Sequence, residues 1–339
     1  MERTALGNTG EEVSVLCLGT MLMGSRVAEA ESFAQLDRFM AAGGNFLDTA
    51  NCYAWWEGRG EFVGDESELT LGRWMHERRN RNQIFLATKG GGRLRDPHAI
   101  RDAEGVPRWA EVRQHYEYLA ADTVRAAVEG SLKRLGTDRI DLWYAHIDDR
   151  STPLEETLGA LNDLVAAGKL RHIACSNLLS WRLERARQIS ARHGWPAYVA
   201  IQQHLSYLRP KAAADFGVNP YAGEDLLDYL VANPEVALLA FTPLLKGLYN
   251  HPERAADYYN WPLFDTPDSQ RRLATLSHMA RTLGVTGNQL VLAWLLHGRA
   301  PRVIPVIAAS RMTQLEENLG ALSIHLDAAQ MAELDAAGA

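Results

Sequence analysis

The sequence predicts an α/β fold: a (β/α)8 TIM barrel with an N-terminal β-hairpin and long loops on its C-terminal rim. Three observations carry this. Eight short apolar or β-branched runs alternate with segments of helical period along nearly the whole chain. No G-x-G-x-x-G follows the first run, which disfavours a dinucleotide-binding doubly wound sheet. No proline- or serine-rich linker and no shift in composition divides the 339 residues, so residues 1–339 are expected to form one barrel domain.

Taken in order, "MERTALGNTGEEVSVLCLG" reads as a hairpin turning at Asn-Thr-Gly and closing the N-terminal end of the barrel. The barrel runs are then "VLCLGT" (15–20), "NFLDTA" (45–50), "IFLATK" (84–89) and "IDLWYAH" (140–146). They continue with "RHIACSN" (171–177), "YVAIQQH" (198–204), "VALLAFTP" (236–243) and "RVIPVIAAS" (302–310). Amphipathic periodicity predicts helices over 31–42, 66–78, 121–135, 154–168, 181–193 and 269–283. A further helix is "TGNQLVLAWLLHG" (286–298), and another spans 313–322 with Thr313 as its N-cap. Three connections are long, 51–65, 90–120 and 244–268. Each follows a strand, which in a barrel is the rim where active sites lie.

Composition narrows the function. Lys and Arg total 35 against 42 Asp and Glu, a net charge of −7, and no basic run stands out. Nucleic acid and anionic membrane are therefore poor partners, and a small molecule is the expected one. No apolar run approaches the ~20 residues needed to cross a bilayer. No early segment combines basic residues, an apolar core and a cleavage site, so a cytoplasmic location is expected. The three cysteines, Cys17, Cys52 and Cys175, lack metal spacing, and no metal is expected. Cys52 and Cys175 read as small residues at the barrel mouth. "KGGGR" after the third run has no Ser or Thr behind the lysine and is not a phosphate-binding P-loop. Nothing in the sequence fixes the oligomeric state.

Four ionisable residues fall at or just beyond strand ends: Asp48, Tyr53, Lys89 and His146. Singly each has a plain explanation as a cap, a packing ring, a solvated amine or a hydrogen-bonded rim imidazole. Together on one rim they form a chemical unit. A phenol titrates near about 10 and is a slow acid at neutral pH. An ammonium against it favours the phenolate, an aspartate fixes that ammonium, and an imidazole orients the substrate oxygen and shares its proton.

These residues carry a resemblance. "FLDTANCY", "ATK" and "DLWYAH" resemble the aldo-keto reductases, in which an Asp, Tyr, Lys and His tetrad occurs in this order. "GDESELTLG", "LNDLVAAGKLRHIACSN", "AFTPLLKG" and "VIPVIAASRMTQLEEN" extend the resemblance over nearly the whole chain. It implies an NADP(H)-dependent oxidoreductase that interconverts a carbonyl and an alcohol by hydride transfer, with Tyr53 as acid and base. It further implies that Ser176, Asn177 and Gln202 hold the nicotinamide carboxamide and that Phe241 stacks on the ring. Thr242, Leu244 and Lys246 would lie along the pyrophosphate. Ser310 and Arg311 would meet the 2′-phosphate, with Gln314, Glu317 and Asn318 on the phosphate or adenine. A hydroxyl and a guanidinium beside a helix N-terminus make a phosphate cradle on physical grounds as well.

The sequence departs from the family in several places, one being Phe241 where a tyrosine is commoner. Ile307-Ala308 stands where Pro-Gly is common, and the segment after Tyr53, "AWWEGRGEFVGDE", is expanded and aromatic. Trp55 and Trp56, with Trp109 from the next long loop, are the expected substrate wall, suited to an aromatic carbonyl or a sugar face. Two other readings fit parts of the pattern. One is a cofactor-binding, non-catalytic or sensory barrel acting through a protein partner, against which the intact tetrad argues. The other is a lyase or isomerase using Lys89 as a Schiff-base amine, against which the cofactor segments argue.

Overall fold

The computed structural model describes residues 1–297 and 300–338. The chain begins with an antiparallel hairpin, β1 (Arg3–Ala5) and β2 (Glu12–Ser14). The next strands are β3 (Cys17–Gly19), β4 (Phe46–Asp48), β5 (Phe85–Gly90) and β6 (Ile140–Ala145). Then follow β7 (Leu170–Ser176), β8 (Tyr198–His204), β9 (Ala237–Phe241) and β10 (Val303–Ile307). Strands β3 to β10 close into a barrel in the order β10-β3-β4-β5-β6-β7-β8-β9, parallel throughout. This is the (β/α)8 barrel and hairpin that the sequence predicts.

The helices α1 (Glu29–Ala41), α2 (Glu66–Arg78), α3 (Ala121–Leu135), α4 (Leu154–Ala166) and α5 (Ser180–His193) lie between successive strands. Helix α6 (Glu224–Ala232) precedes β9. Then come α7 (Trp261–Phe264), α8 (Pro267–Leu283), α9 (Gly287–Leu296), α10 (Met312–Gly320) and α11 (Ala328–Ala336). Thr266 caps α8, and a Thr286–Gln289 capping box starts α9. The expected segment 286–298 ends at Gly298, which lies outside the described residues.

Three short helices, α6, α7 and α11, lie outside those that periodicity predicts, and α7 is a single turn within the 244–268 connection. Helix α6 has only nine residues and buries Leu226 and Leu230, one turn apart, while α11 buries Leu334 alone. So few apolar positions give little periodic signal, although the Asp327–Gln330 capping box marks where α11 begins. The expected cap at Thr313 is corrected. Helix α10 starts at Met312 with Arg311 in the extended N-cap position, so Thr313 lies inside the first turn.

Period-two alternation along each strand decides what reaches the barrel interior. Phe46, Phe85, Ala87, Leu142, Tyr144, Ala174, Ala200, Leu239 and Ile304 pack together inside. Leu6 and Val13 join them from the hairpin, plugging the N-terminal end. The alternate residues, such as Leu47, Leu86, Trp143, Ile173 and Ile201, pack outward against the helices. Continuing the inward row toward the C-terminal ends gives Asp48, Lys89, His146, Ser176, Gln202 and His204. Aliphatic side chains at these levels would each contribute roughly 1.5–3 kcal/mol by burial. A polar layer forgoes that and carries a desolvation cost, which marks the level as built for chemistry.

Candidate active site

Lys89 is the centre of the polar layer and is completely buried. Its Nζ donates to the Asp48 carboxylate, to the Thr49 carbonyl at 2.8 Å and to the Tyr53 hydroxyl at 2.6 Å. All three ammonium protons are therefore accounted for. Asp48, also buried, accepts from Gln202 Nε2 at 2.9 Å through its other oxygen. The third acceptor, the Thr49 carbonyl, belongs to the backbone, so no side-chain pattern announces it.

Tyr53 and His146 stand above this pair, their rings edge to face with centroids 5.9 Å apart. The His146 backbone is pinned on both sides: its N–H donates to Gly90 O at 2.9 Å, and its carbonyl accepts from Asn177 Nδ2 at 2.8 Å. The structure thus brings all four tetrad residues together. Their electrostatics differ from the sequence expectation in one respect. Burial pushes the Tyr53 phenol well above its usual 10, reinforced by Asp48, Cys52 and Cys17. Together these outweigh the lowering that the Lys89 ammonium, 2.6 Å away, exerts on the phenol by itself. Tyr53 is accordingly a protonated phenol across neutral pH, the state a proton donor needs. Burial, with Lys89 as the second cause, lowers His146 to about 3, so its imidazole is neutral.

The proposed carboxamide residues form one connected group beside the tetrad. Ser176 Oγ donates to Gln202 O at 2.8 Å and accepts from Asn177 Nδ2 at 3.1 Å. Asn177 adopts a left-handed φ of +63° that turns the chain out of β7. Its Oδ1 is buried with no hydrogen-bond partner among the described residues, an acceptor of the kind a carboxamide N–H2 would fill. Gln202 spends one of its two N–H donors on Asp48 and keeps the other.

Phe241 ends β9 half-buried, with one face stacked on His204 at 5.5 Å. Beyond it, Thr242, Leu245, Lys246 and Gly247 all take positive φ, a tight, irregular turn just past the end of β9. Leu244 is partly buried in that turn, and Lys246 Nζ lies 4.5 Å from the centre of the Tyr259 ring. At the other end of this region Ser310 N and Oγ both donate to Gln314 Oε1, at 2.8 and 2.9 Å. Asn318 Nδ2 donates to Ala308 O at 3.3 Å. Glu317 Oε1 accepts from Asn250 and Thr286, both at 2.6 Å, tying the 244–268 loop to α9 and α10. Gln314, Glu317 and Asn318 therefore shape the turn, while the Arg311 guanidinium stands exposed at the start of α10.

The three tryptophans separate. Trp56 is partly exposed and edges onto Tyr53, centroids 6.5 Å apart. Trp55 is buried in a small cluster with Cys52, Leu94, Ile100 and Val112, and Arg101 donates to its carbonyl. Trp109 tilts against Trp55 at 5.4 Å and is 60% exposed. Only Trp56 of the three both touches the tetrad and keeps open surface. One residue beside the tetrad was underrated by sequence: Cys52, whose Sγ lies 3.5 Å from His146 Nδ1. Its place next to Tyr53 in the chain was the available signal.

Comparison with known proteins identifies a family. A model of the Aldo/keto reductase family matches residues 15–339. Norsolorinic acid reductase stcV of Emericella nidulans is 32% identical over 336 residues, covering 96% of this chain and 78% of that protein. A norsolorinic acid reductase of Aspergillus flavus is 30% identical, covering 98% of this chain and 80% of its own. The oxidoreductase YrpG of Bacillus subtilis, itself uncharacterised, is 31% identical over 332 residues, covering 96% and 93%.

Proposed function

The chain belongs to the aldo/keto reductase family, and on that premise we propose that it is an NADP(H)-dependent oxidoreductase interconverting a carbonyl and an alcohol. The observation that carries the proposal is the Lys89 ammonium bonded at once to Asp48 and Tyr53, with neutral His146 facing the same phenol. When bound, the nicotinamide supplies or accepts the hydride. The protein's part is proton transfer and placement. In reduction, the Tyr53 hydroxyl donates its proton to the carbonyl oxygen as negative charge grows there. Lys89 stabilises the phenolate left behind, and that interaction is stronger in the transition state than in the resting phenol. In oxidation the phenolate takes the alcohol proton. His146 holds the substrate oxygen by a hydrogen bond, and Trp56 forms the wall against which the substrate lies.

The dinucleotide would be held by Ser176, Asn177 and Gln202 at the carboxamide and by Phe241 at the ring face. Thr242, Leu244 and Lys246 would line the pyrophosphate, and Ser310 and Arg311 the 2′-phosphate. Gln314, Glu317 and Asn318 would contact the phosphate or adenine from the same turn. The unpartnered Asn177 acceptor and the exposed guanidinium at the start of α10 both fit such a ligand. Two relatives are named as norsolorinic acid reductases, which supports reduction of a small organic molecule by this chain as well.

A titration of intrinsic tryptophan fluorescence with NADPH and with NADH tests the cofactor directly. The expected result is saturable quenching with tighter binding of NADPH. Absence of binding by either nucleotide would overturn the reading.

A further inference from the structure

The Cys52 thiol has no part in the proton transfer described above, yet it is buried against the ring of His146. Its Sγ is 3.5 Å from Nδ1, and Gly92 lines the same contact. A Cβ at position 92 would come within 3.1 Å of His146 Nδ1 and 3.7 Å of Cys52 Sγ, so the missing side chain leaves room for the pair to meet.

Two facts fix the chemistry of this contact. Burial, with Glu117 next, raises Cys52 to about 12, so the sulfur keeps its proton. Burial, then Lys89, keeps His146 neutral, so its ring carries one N–H and one bare nitrogen. A thiol proton and a neutral imidazole at this distance can pair in two ways. If Nδ1 carries the proton, the ring donates to sulfur, a weak acceptor, and the buried S–H loses its nearest acceptor. If Nδ1 is bare, the S–H donates to a strong acceptor, and the remaining ring proton sits on Nε2.

We propose that Cys52 is a positioning residue that holds His146 as the Nε2–H tautomer by donating its S–H to Nδ1. The ring nitrogen away from Cys52 then presents a donor to the substrate oxygen beside Tyr53. The use of that donor rests on the reductase reading; the tautomer does not.

The test is long-range 1H–15N NMR of the histidine rings in the full-length protein, with His146 identified by the signal lost in His146→Gln. Wild type is expected to show a bare Nδ1 and a protonated Nε2. Cys52→Ser, which keeps an O–H donor, is expected to retain this pattern, and Cys52→Ala to shift the ring toward a mixture of tautomers. In turnover Cys52→Ala should lower kcat by about 10-fold, with KM for NADPH unchanged, and Cys52→Ser should recover most of the loss. An Nδ1–H tautomer in wild type, or an unchanged tautomer in a folded Cys52→Ala, would overturn the proposal. If no carbonyl is turned over by wild type, the reductase reading fails, while the ring spectra still decide the role of Cys52.

Discussion

Lys89 donates to Tyr53 and to Asp48 from a single, completely buried ammonium group, with 2.6 Å between Nζ and the phenol oxygen. The arrangement couples an ion pair to a proton donor inside the barrel. Strand geometry sets the ion pair, since Asp48 and Lys89 occupy inward positions at the tops of neighbouring strands β4 and β5, and the loop after β4 brings Tyr53 to it.

The ion pair is predicted to be a stability liability once broken. Lys89→Met leaves the Asp48 carboxylate buried with its cation gone and should cost about 3–5 kcal/mol. Adding Asp48→Asn removes the stranded charge, so the double variant should be more stable than Lys89→Met alone. Urea denaturation followed by circular dichroism measures both. A double variant no more stable than the single would mean that the charge is not the source of the cost.

The tetrad was legible in the sequence because strand alternation turns position into direction. Asp48, Lys89 and His146 end three successive β runs, and parity places each inside. What sequence could not show arises from the third dimension. The Thr49 carbonyl that completes Lys89 has no side-chain signature. The commitment of Gln202 to Asp48 joins residues 154 positions apart. Trp55 and Trp56 look alike in the chain, and only the fold of the 51–65 loop buries one and leaves the other open.

That difference between the tryptophans predicts opposite phenotypes. Trp55→Ala empties a buried site and should cost about 3–5 kcal/mol of stability. Trp56→Ala should leave the unfolding midpoint nearly unchanged and raise KM for the carbonyl substrate. Thermal melts paired with initial-rate kinetics separate the two. Equal destabilisation by both substitutions would contradict the assignment of Trp56 to the wall.

Acid should destabilise the fold through two histidines. Burial holds His146 at about 3 and His204 at about 4, against about 6.5 in the unfolded chain. Between about 4 and 6.5 the unfolded state therefore binds more protons at these sites than the folded state. Stability contributed by keeping these rings neutral is full above about 6.5 and is lost as pH falls toward the folded values. Denaturation midpoints at pH 7.5 and 5 should show the fall, reduced in His204→Gln. No inflection in kcat from His146 is expected between pH 5 and 8.

Arg311 should discriminate between the two nicotinamide cofactors. Loss of a charge-assisted contact to a phosphate typically costs about 1.5–3 kcal/mol. Arg311→Gln should thus weaken NADPH by roughly 10- to 100-fold while leaving NADH within about 3-fold. Fluorescence titration with each nucleotide provides the comparison, and equal losses would remove Arg311 from the 2′-phosphate.

The most direct measurement is single-turnover oxidation of NADPH at 340 nm by wild type and Tyr53→Phe, with an aromatic aldehyde as acceptor and nucleotide binding measured alongside. The expected result is a loss of about 10³-fold or more in the rate of the hydride step with NADPH affinity near wild type, because only the proton donor is removed. A Tyr53→Phe enzyme that binds NADPH and still reduces the aldehyde at a comparable rate would contradict the assignment of Tyr53 as the acid and base of this barrel.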